Sequence, residues 1–174
     1  MSKLSVIVLG EVFTFRGMFM IIERAKISEL SEINELLNQV LDIHHNGRPD
    51  IFKGNTKKYT DEELLEIIND DTRPIFVALL DGHVVGYAFC IFKQCLDNNI
   101  FTDIKTLYID DFCVKEGFRG HHIGTELYNY VVDFAKENGF YNVTLNVWAF
   151  NEDAKAFYES LGMKPQKFGM ETII

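Results

Sequence analysis

The sequence has few of the features that mark several large protein classes. It contains only three cysteines, Cys90, Cys95 and Cys113, and no Cys-x-x-Cys pair. The odd number and the missing pair indicate free thiols in a reducing, cytosolic compartment. No apolar run approaches the ~18 residues that a membrane-spanning helix needs. We therefore expect neither a membrane span nor a membrane partner.

Basic residues are outnumbered, with 17 Lys and Arg against 26 Asp and Glu, for a formal net charge of −9. A nucleic-acid-binding protein normally carries a basic face, so this balance argues against a nucleic-acid partner. The acidity is compatible with a cationic substrate steered by the protein's field, although acidity that only aids solubility is the simpler interpretation. Apolar residues make up 47% of the 174 positions, which is typical of one soluble domain with a real core.

The beginning of the chain contains only a short apolar run, Val6 to Leu9, which is too short for a signal-peptide core. Met18 and Met20 are plausible alternative starts. We therefore interpret residues 1–19 as an N-terminal extension, an added strand or a contact segment. Residues 20–174 contain no internal repeat, low-complexity tract or linker, which predicts a single domain.

Apolar periodicity and turn residues predict the order of elements. Asp81-Gly82 fits a type I′ turn, so the strands on either side of it should form a hairpin. Together with a right-handed β-α-β crossover, this order predicts an α/β sandwich with a mixed sheet. The expected elements are strand 20–26, a helix capped by Ser28 or Ser31, a helix from the capping box 60–63 to about 69, strands 75–80, 83–92 and 106–114, helix 123 to about 138, strand 141–147, helix 151–161 and a closing strand 168–174.

The stretch from Asp110 to Thr125 begins as a strand, passes through a turn marked by Gly117 and Gly120, and opens a helix. The first N–H groups of a helix have no partner within it, and the helix dipole favours negative charge there. The stretch therefore predicts a phosphate cradle at the carboxyl end of a strand. An ordinary strand–turn–helix joint fits the same pattern.

The segment Arg119-Gly120-His121-His122-Ile123-Gly124 resembles the Arg/Gln-x-x-Gly-x-Gly/Ala loop of the GNAT superfamily of N-acetyltransferases, which grips the pyrophosphate of coenzyme A. The preceding Ile109 to Val114 resembles that family's fourth strand. His122 stands where glycine is usual; a helical backbone would tolerate it, whereas a positive φ would require a reshaped loop. The resemblance covers residues 20–174 and implies a GNAT-type mixed, mostly antiparallel sheet flanked by helices.

A second segment, Asn146 to Met163, resembles the family's later motif, in which an Asn begins a helix and a Tyr follows two turns on. Asn151 and Tyr158 have that spacing, which puts both on one helix face. The resemblance implies that Tyr158 is the general acid for the leaving thiolate. A core tyrosine with a satisfied hydroxyl is the structural alternative. Asn151 would contact the pantetheine arm or the adjacent backbone.

The nucleophile in such chemistry is an amine, and an alkylammonium of pKa ~10.4 must lose a proton before it attacks. A carboxylate-to-water relay can take that proton, and Asp110 and Asp111 are the candidates. Adjacent strand residues point to opposite faces, so only one of them should face a given cleft. The resemblance favours Asp110 as the base, while solvated or paired carboxylates are the alternative.

The resemblance also implies acetyl-CoA as co-substrate. Cys113 is expected to be a buried structural thiol rather than a nucleophile. Two adjacent His seldom chelate one ion, so we expect no metal, although His122 could contact a phosphate oxygen. The residues implied for acetyl-CoA are the backbone of Phe112, Cys113 and Val114 for pantetheine, the N–H groups of Arg119, Gly120, His121, His122, Ile123, Gly124 and Thr125 for pyrophosphate, and the side chains of Asn151 and Tyr158.

These observations predict a cytoplasmic acetyl-CoA-dependent N-acetyltransferase that acts on a primary amine of a small molecule or protein by direct attack in a ternary complex. A longer acyl donor, an O-linked acceptor, an acyl-CoA sensor without turnover and an interaction protein that only keeps the fold are the alternatives. Homodimerisation is left open. His44, His45 and Asp50 are expected to meet a cationic or polar acceptor, although a tight turn with solvated polar residues fits equally well.

Overall fold

The computed structural model describes residues 11–15 and 18–174, with side chains from residue 19 onward. Six strands are present in this part of the chain: β1 (Glu11–Phe15), β2 (Met18–Arg24), β3 (Ile75–Leu80), β4 (His83–Gln94), β5 (Lys105–Val114) and β6 (Asn142–Leu145). The α-helices there are α1 (Leu30–Gly47), α2 (Asp61–Ile68), α3 (Ile123–Glu137) and α4 (Glu152–Ser160).

The strands form one sheet in the order β1-β2-β3-β4-β5-β6. Neighbouring strands are antiparallel except β5 and β6, which are parallel and joined through α3. The predicted mixed, mostly antiparallel sheet flanked by helices is therefore confirmed. β1 lies within the predicted extension 1–19, of which residues 1–10, 16 and 17 are outside the described part. The boundary between extension and domain stays a prediction.

Each face of the sheet carries its own apolar core. α3 repeats apolar residues at helical spacing, and these pack with one face of the sheet. α1 and α2 cover the other face. The first core includes Ile22, Phe76, Ala88, Leu107, Leu127, Val131 and Phe134, and the second includes Ile33, Leu36, Leu37, Leu64, Val77, Tyr87 and Phe89. The strands between them therefore carry apolar residues on both faces, so the sheet is the middle layer of a three-layer fold.

The two helix starts predicted from the sequence had opposite outcomes. The capping box of α2 is confirmed: Thr60 Oγ1 accepts from the Glu63 N–H at 3.2 Å, and the Glu63 carboxylate accepts from the Thr60 N–H at 2.8 Å. The prediction that Ser28 or Ser31 caps α1 is wrong, because α1 begins without a side-chain cap. The Ser28 hydroxyl instead donates to the carboxylate of Glu29, in a 3-10 turn that precedes the helix.

The hairpin between β3 and β4 is confirmed. Asp81 and Gly82 have φ values of 48° and 83°, and a type I′ turn needs positive φ at both central residues.

The closing strand predicted at 168–174 is wrong, because these residues form no strand and are exposed. A strand is stable only when its backbone pairs with a neighbour, and this segment has no such ladder. It contacts the body of the protein by an ion pair between Glu171 and Arg48.

Candidate active site

A bulge in β5 determines the geometry of the site. Phe89 of β4 lies opposite Asp111, but the next residue, Cys90, lies opposite Ile109. Asp110 therefore has no partner across the ladder. An extra residue of this kind reverses the faces that the following side chains take.

The burial pattern records this reversal. Leu107 and Ile109 pack against the α3 core before the bulge, and Phe112 and Val114 pack there after it. Cys113 lies in the opposite core, under α1 and α2. The side chains of β5 have changed phase at Asp110.

The bulge brings Asp110 and Asp111, hereafter the carboxylate pair, to one point. Lys58, in the loop between α1 and α2, donates to Asp110 Oδ2 at 3.1 Å and to Asp111 Oδ2 at 2.8 Å. The expectation that the two carboxylates would point to opposite faces is therefore wrong. It assumed a regular strand, and the extra residue abolishes strict alternation.

The two carboxylates differ in their surroundings. The Asp111 side chain is 6% exposed, and the Tyr87 hydroxyl donates to its Oδ1 at 3.2 Å. Burial, and then the charge of Asp111, raise the pKa of Tyr87, so this hydroxyl stays a donor. The Asp110 side chain is 30% exposed, and its described partner is Lys58. Asp110 is therefore the carboxylate with the better access to water.

Lys58 is held as an ammonium. Burial alone would lower its pKa, but the negative charge of Asp111 and the hydrogen bond to it outweigh that effect. The pKa of Lys58 is raised overall, with a smaller contribution from Asp110.

β5 and β6 separate at the bulge. Their parallel pairing runs from Thr106 opposite Asn142 to Ile109 opposite Leu145, and it ends there. Among the described strands, none pairs with β5 beyond Ile109 on that side. This leaves a backbone edge beside which an extended ligand can lie as an added strand. The edge contains Phe112, Cys113 and Val114, the residues expected to pair with pantetheine.

A glutamine fixes the end of this edge. Gln39 of α1 donates from Nε2 to Cys113 Sγ at 3.2 Å and to the Val114 carbonyl at 3.3 Å, and its Oε1 accepts from the Glu116 N–H at 2.9 Å. The Val114 carbonyl also accepts from Arg119 Nε at 3.2 Å. Sequence reasoning missed Gln39; a polar residue three positions after the buried Leu36 was the available signal.

The turn between β5 and α3 contains three residues with left-handed backbone: Gly117, Gly120 and His122, with φ values of 86°, 74° and 63°. Of the two possibilities for His122, a right-handed helical backbone and a positive φ, the structure has the positive φ. The loop is therefore of the kind that needs reshaping to accept a residue other than glycine. Side chains pay about 1–2 kcal/mol for this conformation, and His tolerates it better than most residues.

Several backbone amides of this turn lack a hydrogen-bond partner among the described residues. Those of Gly120, His122, Ile123, Gly124 and Thr125 donate to no described residue, and α3 has no side-chain cap. Left-handed residues within a turn and a helix N-terminus both present amides to an anion. The arrangement meets the requirement of the predicted phosphate cradle.

Gly124 has a packing role. A Cβ at this position would lie 3.1 Å from the ring of Phe157 and 3.4 Å from Val114 Cγ2. The missing side chain therefore lets the first turn of α3 approach α4 and the end of β5.

α4 places Tyr158 beside the open edge of β5. The Tyr158 ring meets Phe112 edge to face at 6.1 Å between centroids. Burial, and then the charge of Asp111, raise the pKa of the Tyr158 hydroxyl, so the group is held in its protonated form. Asn151 caps α4, its Oδ1 accepting from the Ala154 N–H at 3.1 Å. That bond accounts for the Asn at the helix start, and its cofactor contact stays a prediction.

The thiol of Cys113 is a poor nucleophile. The residue is buried, and burial raises its pKa to about 12, with a further contribution from the charge of Asp111. Because a thiol reacts as the thiolate, this environment fits a structural role.

Four aromatic side chains, His44, Phe52, Trp148 and Phe150, form a group that we call the aromatic wall. His44 stacks on Phe52 at 4.9 Å and meets Phe150 edge to face at 6.5 Å, and Phe52 lies 5.3 Å from Trp148. Burial lowers the pKa of His44, although the charge of Asp111 opposes this effect. His44 is thus neutral at pH ~7 and lies within electrostatic range of the carboxylate pair.

The other two residues expected at the acceptor site are engaged internally. His45 Nδ1 bonds with the Phe52 carbonyl at 2.8 Å, and Asp50 accepts from Arg48 Nε at 2.9 Å. The structure therefore brings only His44 toward the carboxylate pair.

Residues 11–15 and 18–174 were also considered as ligands for a metal ion and as membrane-spanning helices. No three His, Cys, Asp or Glu side chains there come together as ligands for one ion. No helix in that part of the chain is long and apolar enough to cross a membrane. The expectation that the site uses no metal stays a prediction.

Comparisons with known proteins identify the family and the fold. The model of the Acetyltransferase (GNAT) family matches residues 37–163. An uncharacterized N-acetyltransferase of Methanocaldococcus jannaschii is 31% identical over 104 residues, which are 58% of this chain and 43% of that protein. The chain spans about half the length of the curated relatives it matches.

Solved structures share the fold. A mutant of protein BH1408 from Bacillus halodurans has a TM-score of 0.85 and 30% identity, over 88% of this chain and 99% of that one. The aminoglycoside N-acetyltransferase AAC(6')-Iy in complex with CoA has a TM-score of 0.67 over 93% of this chain and 99% of that one, and at 17% identity it shows the fold alone. The family match spans most of the chain, including the amide-lined turn and α4, and the chain belongs to the GNAT acetyltransferase family.

Proposed function

We propose that this protein is an acetyl-CoA-dependent N-acetyltransferase that transfers an acetyl group to a primary amine of a small molecule or protein. The observation that carries the proposal is the start of α3, where the amides of Gly120, His122, Ile123, Gly124 and Thr125 donate to no described residue. They lie beside an edge of β5 that β6 has left. The amides would hold the pyrophosphate, and the edge would align the pantetheine arm with its thioester toward Tyr158.

The proposed reaction is a direct attack within a ternary complex. Asp110, directly or through a water molecule, takes a proton from the acceptor ammonium, and the nitrogen lone pair forms a bond to the thioester carbonyl carbon as the carbonyl π pair moves to oxygen. The carbon–sulfur bond then breaks, and the departing sulfur receives the hydroxyl proton of Tyr158. The nitrogen loses its second proton as the amide forms, and that proton restores the Tyr158 hydroxyl. Asp110 suits the base because its carboxylate reaches water, whereas Asp111 is buried and bonded to Tyr87.

Binding and chemistry are tested separately. Isothermal calorimetry should detect acetyl-CoA binding, and a thiol-release assay with polyamines, amino acids, aminoglycosides and peptide N-termini should find an acceptor. Tyr158→Phe should lower kcat by about 10²-fold, since proton transfer by a positioned side chain is worth about that much. Its acetyl-CoA affinity should stay unchanged, because the phenyl ring remains.

The matched control is Tyr141→Phe, because the Tyr141 side chain is exposed and lies outside the site. It should leave kcat unchanged. Acetyl-CoA binding without turnover on any amine would favour the sensor alternative. Failure to bind any coenzyme A species would contradict both the N-acetyltransferase proposal and the sensor alternative.

The proposal places the protein in a reducing compartment such as the cytoplasm, and its three cysteines are free thiols, as that setting requires. Nucleic acid and membranes are not among its proposed partners.

A further inference from the structure

The position of the Lys58 ammonium identifies the kind of acceptor group that the site takes. Its Nζ lies 3.1 Å and 2.8 Å from oxygens of the carboxylate pair, so two of its three N–H donors are used. The nitrogen is primary and sits at the end of an unbranched alkyl chain. The structure thus contains, within the chain itself, a group of the same chemistry as an alkylamine substrate.

The residue that carries this ammonium lies outside the helices and strands. Lys58 belongs to the irregular loop between α1 and α2, two residues before the N-cap of α2, and 32% of its side chain is exposed. Its Nζ lies over the ring of Tyr59, 5.4 Å from the centroid. A rotation of this side chain would uncover both carboxylates without moving a helix or strand.

The carboxylates cannot move in the same way. The Asp111 carboxylate is held by the Tyr87 hydroxyl, and the backbone of Asp110 is held in the bulge of β5. Lys93 also interacts electrostatically with Asp110, but its Nζ lies over the Tyr108 ring, 3.1 Å from the centroid. The site therefore contains two carboxylates whose oxygens are spaced to take hydrogen bonds from one primary ammonium.

Resting on the proposed function, we infer that the acceptor is a primary amine at the end of an unbranched alkyl chain, and that it binds the carboxylate pair by displacing Lys58. Lys58 is a positioning residue, an internal competitor that keeps the buried Asp111 neutralised until the acceptor arrives. Diamines, polyamines and lysine side chains share this chemistry. α-Amines, which carry a branch next to the nitrogen, do not.

The first test is a binding measurement that involves no turnover. n-Pentylamine is titrated calorimetrically into the protein saturated with coenzyme A, and pentyltrimethylammonium is titrated as a probe without N–H donors. The primary amine should bind at least about tenfold more tightly, because charge-assisted hydrogen bonds to both carboxylates are lost with the methyl groups. Equal binding of both probes would assign the site to the aromatic wall, where a cation–π contact needs no N–H, and would overturn the inference.

The second test removes the competitor. Lys58→Met keeps the apolar chain and deletes the charge, and it should tighten n-pentylamine binding by about tenfold, since a tethered group competes with millimolar effective concentration. Lys57→Met is the matched control, because Lys57 is adjacent in the loop but pairs with Asp61 at 3.3 Å. It should leave the affinity unchanged. Unchanged or weaker binding to the folded Lys58→Met protein would overturn the inference.

A further variant covers the case in which Lys58→Met fails to fold. Asp110→Asn preserves the Lys58–Asp111 pair and should weaken n-pentylamine binding about fivefold, while coenzyme A affinity stays unchanged. An unchanged amine affinity would contradict the inference.

In the thiol-release assay, n-pentylamine and a peptide with only a lysine amine free should react, whereas a peptide with only its α-amine free should not. Turnover confined to the α-amine would overturn the acceptor assignment and leave acetyl transfer itself intact.

Discussion

Two helix starts on either side of the site are built in opposite ways. α4 begins with a side-chain cap, Asn151 Oδ1 accepting from the Ala154 N–H at 3.1 Å. α3 begins at His122, which has left-handed backbone and makes no cap. A cap typically contributes about 1 kcal/mol of helix stability, so α3 lacks a stabilisation that α4 has.

The helix that begins without a cap is the one whose first amides would bind a ligand in the proposed complex. α3 can begin uncapped because Ile123, Leu127 and Val131 bury one of its faces in the core. Tertiary packing stabilises most protein helices more than local signals do. The amides that a cap would occupy are then available for the diphosphate in the proposed complex.

The strongest test of this comparison changes two glycines that share a backbone conformation. Gly120 and Gly139 have φ values of 74° and 69°, and a Cβ at either would meet nothing within 4 Å. Gly120→Ala should weaken acetyl-CoA binding about thirtyfold, equivalent to ~2 kcal/mol, because a strained turn misdirects amides that bond a charged group. Gly139→Ala, at the other end of α3, should leave that affinity unchanged. Calorimetry measures both, and equal losses of affinity would contradict the comparison.

A smaller effect is expected from removing the caps themselves. Asn151→Ala and Thr60→Ala should each lower the free energy of unfolding by about 1 kcal/mol in urea denaturation. Thr60 lies at the start of α2, so its loss should not change acetyl-CoA affinity. A lower affinity in Asn151→Ala alone would show that Asn151 also contacts the cofactor. Unchanged stability in both variants would remove the contrast with α3.

His122→Gly addresses the start of α3 directly. The variant should raise the free energy of unfolding by about 0.5 kcal/mol, since relief of the left-handed side-chain cost is partly offset by a more flexible unfolded chain. Acetyl-CoA affinity should fall modestly if the imidazole contacts a phosphate oxygen. An affinity equal to that of the unmodified protein would exclude that contact.

The smallest effect concerns a helix end. His44 lies in the last turn of α1, where the helix dipole would favour protonation, yet burial lowers its pKa. The unfolded chain therefore binds a proton that the folded chain does not, and stability is lost as the pH falls below ~6.5. In His44→Phe, the free energy of unfolding should fall less between about pH 7 and about pH 5, by a few tenths of a kcal/mol. Urea denaturation across that range measures it, and an unaltered slope would contradict the assignment.

Local signals in the sequence predicted the parts of the fold that local forces determine. The Asp81-Gly82 hairpin and the Thr60 capping box depend on a few neighbouring residues, and both were correct. The turn at 117–125 was predicted from its glycines for the same reason, and Gly117 and Gly120 do have left-handed backbone, while its role as an anion cradle stays a prediction. The closing strand at 168–174 failed because strand formation depends on a distant partner, which apolar alternation does not report.

The bulge was the most consequential feature that sequence reasoning missed, although its trace is present in the sequence. Leu107 and Ile109 alternate normally, and the next apolar residues of that face are Phe112 and Val114. The interval of three between Ile109 and Phe112 marks the phase shift. An irregular interval within a strand is therefore informative, since it would have indicated that the two carboxylates come together.

The triple contact of Gln39 has a mechanical consequence. Its one amide bridges α1 to the last residues of β5 and to Glu116 in the following turn, over distances of 2.9–3.3 Å. Hydrogen bonds of this kind weaken steeply when stretched by more than about 0.5 Å. Any larger shift of α1 must carry the turn along or break a bond, so Gln39 couples the position of α1 to that of the turn that would hold the diphosphate in the proposed complex.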